Sequence, residues 1–175
     1  MRNSKTMSFV SPRATLQTPL SIGENVNIYG SATIGKYTFI GDNVVIGYPF
    51  GRELENAMIL WEGSDSLWHI DDLVNNSTSI GERCAIERGA IICSGANIGN
   101  NVKCNPGAFV GSYTTIGHGT RIVYGAKIFD KVQIGVDCII GGFVGDNSVI
   151  GNGVRMLGKL IHKHDVPAEN RPAWD

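Results

Sequence analysis

Histidine is the side chain best suited to moving a proton near neutral pH, because its unperturbed pKa lies there. The sequence carries four, His69, His118, His162 and His164. Only His118 stands in a regular stretch, Ile116-Gly117-His118-Gly119-Thr120-Arg121, with glycine on both sides. Flanking glycines leave an imidazole open to a bound molecule, so His118 is the candidate general base. The four cysteines, Cys84, Cys93, Cys104 and Cys138, have neither metal-type nor redox-type spacing. They read as free thiols of a cytoplasmic protein.

The elements that must position such groups are constrained first by composition. Lys plus Arg number 15 against 16 Asp plus Glu, a net charge of −1, which gives no electrostatic reason to expect nucleic acid or an anionic membrane as partner. No apolar run is long enough for a membrane span, and the polar N-terminus lacks the apolar core of a signal peptide. The 23 glycines, set in an ordinary apolar content, imply many turns rather than disorder.

The turns recur with a period of six. Aliphatic residues stand at Ile22, Ile28, Ile34, Ile40 and Ile46, and again from Ile80 through Ile86, Ile92, Ile98, Cys104, Val110, Ile116, Ile122, Ile128 and Ile134 to Ile140. After a four-residue step they return at Val144, Ile150 and Met156. Gly often follows, and the fifth position is small or β-branched, as at Ala32, Val44, Ala90, Val102, Thr114 and Ala126. A period of six is neither the 3.6 of a helix nor the 2 of a simple strand. It fits a short strand followed by a turn, repeated around a prism. The fifth residue and the next aliphatic are two apart, so both face the interior. The Gly sits near a corner, where tight packing or an unusual backbone angle favours a missing Cβ. Cys84, Cys138 and Cys104 fall at interior positions and read as inert. Cys93 takes the Gly position and is expected to be more accessible.

The pattern Ile-Gly-x-x-(Val/Ala/Thr)-x over 22–51 and 80–161 resembles the hexapeptide-repeat acyltransferase superfamily. Ile46-Gly47-Tyr48-Pro49 resembles a motif of its branch acting on sugars and nucleotide-sugars. The resemblance implies an all-β, left-handed parallel β-helix with three repeats per coil, assembled as a homotrimer. The repeats then give about six triangular coils, and a spacing of about 4.8 Å makes the prism about 30 Å tall. It implies an acetyltransferase moving an acetyl group from acetyl-CoA to an amino or hydroxyl group of a sugar or nucleotide-sugar. In several branches the catalytic His stands two residues after the aliphatic position, the place of His118. The protein positions the thioester and stabilises its oxyanion, for which the backbone at Gly135 and Gly153 is a candidate. Lys127, with Lys131 and Lys159, is the candidate for the coenzyme A phosphates. Where that branch carries Gly-His-Asn, this chain has Asn105-Pro106-Gly107, so Pro106 replaces the usual base, and either His118 acts in its place or the chain is not catalytic in the usual way.

Two other readings stay open. One is a non-catalytic scaffold or binding protein on the same fold. The other is a metalloenzyme like the γ-carbonic anhydrases, whose zinc takes three His. His118, His162 and His164 make three, but their spacing does not resemble that branch, and no metal ligand is assigned. The organisation expected is a lead-in at 1–21, a β-helix at 22–161 with an excursion at 49–79, and a tail or the start of a further segment at 162–175. The excursion carries Arg52-Glu53-Leu54-Glu55, Trp61 and Trp68. It serves either as a flap over a coil edge or as a carrier of binding residues. Gly141-Gly142-Phe143 marks a bulge or a close approach of a ligand to the backbone.

Overall fold

The chain was analysed as a computed structural model that describes residues 8–61 and 69–161. Trp68, His162 and His164 lie outside the described residues. Two-residue strands follow from the period of six: each aliphatic residue and its predecessor pair with the equivalent residues eighteen positions on, as in Ser21–Ile22 with Phe39–Ile40. Every pairing is parallel, and the fold is the left-handed parallel β-helix that the family resemblance implies.

The strands stack into three faces. Face A runs from Phe9–Val10 through Asn27–Ile28, Val45–Tyr48, Ile91–Cys93 and Phe109–Val110 to Lys127–Ile128. Face B runs from Thr15–Leu16 through Thr33–Ile34, Ser79–Ile80, Asn97–Ile98, Thr115–Ile116 and Gln133–Ile134 to Val149–Ile150. Face C runs from Ser21–Ile22 through Phe39–Ile40, Ala85–Ile86 and Lys103–Cys104 to Arg121–Ile122. The six-residue strand Ile139–Val144 joins faces C and A. The core is one column of Ile, Val and small side chains, with Ile28, Ile34, Ile40, Ile46, Ile86 and Ile92 wholly buried. Each such Ile contributes about 1.5–3 kcal/mol of burial.

The solenoid has about eight turns, not six. The coils begin before Ile22: Val10 and Leu16 keep the period, but Ser11 and Gln17 follow them in place of Gly, so residues 1–21 read as a lead-in. Phe9 and Thr15 nonetheless pair with Asn27 and Thr33. At the other end Leu160 pairs with Val144, out of phase with the repeat. The break at Gly141-Gly142-Phe143 is a corner with its turn removed, which shortens the coil by two residues so that Lys127 pairs with Phe143. Gly142 has a φ of +84°, and a Cβ there would run into Gly158 of the next coil. The close approach is therefore between coils.

The glycine after the aliphatic residue answers a packing demand. A Cβ on Gly117 would lie 2.5 Å from the carbonyl carbon of Gly135, one coil above. Left-handed backbone falls two residues later, at Asn25, Asn43, Asn101 and Gly119 and also at Tyr37, Tyr113 and Lys131. The residue between them closes the corner. Its side chain accepts the backbone N–H of its counterpart one coil earlier: Asp42 Oδ1 from Glu24 (2.9 Å), Asn100 Oδ1 from Glu82 (2.9 Å), Asn152 Oδ1 from Val136 (3.0 Å). Those N–H groups point along the axis and need an acceptor.

The excursion leaves the corner between faces A and B after Tyr48 and returns at Ser79. It carries helix α1 (Arg52–Trp61) and a 3-10 turn at Ile70–Leu73. The turn is clasped to the first coils by Asp71, which is buried and accepts the Gly30 N–H (2.6 Å) and the Ser11 hydroxyl (2.9 Å). Arg13 pairs with the same carboxylate at 3.4 Å and donates to the Val74 carbonyl at 3.1 Å. Burial alone would raise the Asp71 pKa, but the Gly30 N–H, the Ser11 hydroxyl and the Arg13 charge together hold it below the usual value.

Gly117→Ala should cost about 1–3 kcal/mol of stability by overpacking, whereas Gly151→Ala, with open space at its Cβ, should stay within about 0.5 kcal/mol of wild type in chemical denaturation. Asp71→Ala should cost about 1–3 kcal/mol at pH 7 by leaving buried donors unpaired. A carboxyl whose folded pKa is depressed contributes stability above its unfolded pKa and loses it as pH falls through the folded one. The gap between wild type and Asp71→Ala should therefore close as the pH drops below about 4.

Candidate functional site

The excursion builds a cleft where it crosses the corner between faces A and B. Phe50 sets helix α1 against the coils, its ring 5.3 Å from that of Phe109 in an edge-on contact. Phe109, Phe129 and Phe143 continue that aromatic stripe up face A, with centroids 6.1 and 4.7 Å apart. Glu53, in the first turn of α1, suits the positive end of the helix dipole. Its Oε1 accepts the Tyr113 hydroxyl (3.1 Å), the Ser94 hydroxyl (3.2 Å) and the Asn76 amide. Asn76 also donates to the Tyr113 oxygen at 2.7 Å. One carboxylate oxygen is thereby fixed by groups from two coils and from the returning limb of the excursion. The other, Oε2, is buried and has no partner among the described residues.

Beside Glu53 the corner column supplies Ser112, Asp130 and Asp146, and the cleft of about 370 Å³ between them is also lined by Lys131 and Asn147. Asp130 Oδ1 accepts the Ser112 N–H at 2.8 Å, and Asp146 Oδ1 accepts the Asp130 N–H at 2.9 Å. The Ser112 hydroxyl, in a residue only 2 % exposed, has no partner. Burial and the Asp146 charge above it outweigh the Ser112 N–H and the Lys131 charge, and raise the Asp130 pKa. Burial, the Glu53 charge and the hydrogen bond to Glu53 raise the Tyr113 phenol, against the hydrogen bond from the Asn76 amide. Cys93, expected to be accessible, is wholly buried under the excursion. Burial together with Asp130 and Glu53 pushes its thiol up to about 12. The bulge between Ile92 and Cys93, opposite Tyr48, accommodates its side chain where the repeat has Gly. Such a thiol is no nucleophile.

His118 stands on another corner, between faces B and C, and is exposed. Its Nδ1 accepts the Asn100 N–H at 2.8 Å, the capping role that Asn100 and Asn152 fill in the same column. In the neutral ring the proton then sits on Nε2, which donates outward. Gly135 and Gly153 share this corner, and their N–H groups donate to the carbonyls of Ile150 (2.8 Å) and Val136 (2.9 Å). Lys127 lies apart from them, exposed on face A between Phe109 and Phe143, three residues before Asp130. The corner between faces C and A carries Asn105-Pro106-Gly107, where Pro106 accepts the Gly125 N–H. The structure thus divides the residues singled out in the sequence: His118, Gly135 and Gly153 on one corner, Lys127 on the face that leads into the cleft. His69 caps the 3-10 turn by accepting the Asp71 N–H, and its ring packs 4.7 Å from Phe9. Among the described residues no group of three or more His, Cys, Asp or Glu is arranged to hold a metal ion, and no helix is long and apolar enough to cross a membrane.

The sequence brings up Glu53 only within the run Arg52-Glu53-Leu54-Glu55, and gives no sign of Asn76 or Tyr113. Nothing in the sequence separates Glu53 from Glu55. A bulky residue at the left-handed corner position was the available signal for Tyr113, but Tyr37 shares it and meets Arg83 instead.

No family model matches the chain, and no curated protein matches it. Among solved structures it is similar to the acetyltransferase domain of PglB from Neisseria gonorrhoeae FA1090 (15% identity over 85% of this chain and 56% of that one, TM-score 0.37). It is also similar to a perosamine N-acetyltransferase from Caulobacter crescentus determined with CoA and GDP-perosamine (18%, 87% and 50%, TM-score 0.35). A UDP-N-acetylglucosamine acyltransferase from Bacteroides fragilis 9343 gives 19%, 89% and 67%, with a TM-score of 0.38. The chain spans about half the length of the first two. The likeness is one of repeat and coil.

If Glu53 is the charge that faces Tyr113, Glu53→Gln should lower the pH at which the Tyr113 phenol titrates, followed by its ring resonances in NMR. An unchanged titration would place Glu53 elsewhere.

Proposed function

We propose that this chain is a coenzyme-A-dependent acyltransferase that moves an acetyl group from acetyl-CoA to an amino or hydroxyl group of a sugar or nucleotide-sugar. The observation that carries the proposal is the state of Glu53. A general base must be held in place and must keep a free lone pair toward the proton it takes. Tyr113, Ser94 and Asn76 fix one oxygen of Glu53, and the other is buried and unpaired, in a residue that lines a cleft of small-molecule size. The six-residue repeat over 22–51 and 80–161 supports the same reading through its resemblance to acyltransferases.

In this reading the acceptor lies in the cleft with its nucleophilic atom toward Glu53 Oε2. Lys127 on the adjoining face meets the phosphates of coenzyme A. Gly135 and Gly153, whose N–H groups are used between coils, contribute surface without a Cβ rather than an oxyanion donor. A homotrimer in which the His118 corner of one subunit meets face A of the next would bring the two groups of residues together, and sedimentation would test that assembly. His118 is the competing base. It is tested with His118→Asn, because Asn fills the same cap at Asn100 and Asn152 and so removes the imidazole without opening the corner.

Transfer is followed by release of the coenzyme A thiol with a panel of sugars. Glu53→Gln should lower the rate by about 10²–10⁴-fold and His118→Asn should leave most of it. The reverse pattern moves the base to His118, and a panel in which no sugar stimulates thiol release contradicts the proposal.

A further inference from the structure

The cleft under α1 has a chemical bias that the proposed reaction does not require. Two polar side-chain atoms among the described residues are buried without a partner, Glu53 Oε2 and Ser112 Oγ, and both belong to residues lining this cleft. A carboxylate oxygen can only accept, so what satisfies it must donate. The remaining charge is lopsided: Asp130 and Asp146 join Glu53, and Lys131 is the cationic residue of the lining. Asp130 and Asp146 are stacked one coil apart, each using one oxygen to cap the corner beneath. A neutral hydroxyl would satisfy one acceptor and leave that excess negative charge in place. A bare metal ion needs a cage of ligands, and the described residues form none. An alkylammonium group has three donors and a positive charge, and a cleft of about 370 Å³ holds a small molecule that carries one.

We infer that the cleft formed by Glu53, Ser112, Asp130 and Asp146 binds the protonated primary amine of a small molecule, and, resting on the acyltransferase reading, that the acceptor is an amine rather than a hydroxyl. Glu53 Oε2 and Ser112 Oγ, both covered in the unliganded fold, turn to it as its first contacts, and Asp130 and Asp146 supply field from the coils above. In the transfer the bound ammonium first gives one proton to solvent. The neutral nitrogen then attacks the thioester carbonyl carbon. The C–N bond forms as Glu53 takes the second proton, the C–S bond breaks, and Glu53 returns that proton to the departing thiolate. The products are the amide and the free thiol of coenzyme A.

The test uses matched pairs, glucosamine with glucose and galactosamine with galactose, titrated into the full chain while the Tyr113 ring resonances are followed by NMR. At least one amine should shift them and its hydroxyl twin should not. The shift should need about ten- to hundredfold more amine in Glu53→Gln and be weakened in Ser112→Ala, which removes an atom with no partner in the fold and so spares folding. If no amine of the set shifts Tyr113, or if glucose and galactose act as well as their amines, the inference is overturned. Acetyl transfer to the hydroxyl twins at equal rate would overturn it and leave the acyltransferase reading standing. Amine binding with no acetyl transfer to any amine would do the opposite.

Discussion

Everything in this molecule depends on how closely one coil can lie on the next. The distance is set where a glycine follows the aliphatic residue and meets the backbone above it, with no room for a Cβ at Gly35, Gly117 or Gly135. Once that contact is made, the parallel ladder is in register, the Ile column is filled and the corner N–H groups find their acceptors one coil away. A one-residue slip would turn every interior Ile outward. The register therefore fixes the height of each corner side chain along the axis. This is how Ser94, Ser112 and Asp130, eighteen residues apart, come to form one vertical wall.

A repeat of this kind gives stiffness and a row of similar corners, but no cavity. The cavity comes from interrupting it. Among the described residues the excursion is pinned by Asp71 to Ser11, Arg13 and Gly30 of the first coils, by Ser77 to the Ser31 carbonyl, and by Phe50 with Glu53 to the coils above. α1 stands against the corner at which Cys93 and Ser112 are buried. Partial burial raises the Asp130 pKa there, while Asp146 stays exposed.

The sequence carries the fold almost entirely, since a period of six with an inward pair two residues apart admits few geometries. It understated the extent, because Val10 and Leu16 lack the following Gly and Leu160 falls out of phase, although packing places Leu16 and Leu160 against the same core. The site was far less legible. His118 stood out as a histidine between glycines, yet its Nδ1 does what Asn100 and Asn152 do, which a spacing argument cannot see. Glu53 looked like any surface glutamate of a short helix. Its role comes from Tyr113, Ser94 and Asn76, which reach it from distant parts of the chain. Contacts of that kind leave no local pattern.

The claim that this solenoid handles a coenzyme A thioester is tested most directly by calorimetry of the full chain with acetyl-CoA, with a metal chelator present. The account predicts saturable binding of about one acetyl-CoA per chain in the micromolar range. A well-folded protein that shows no heat of binding would contradict it and would leave a scaffold with an amine-binding cleft as the better description.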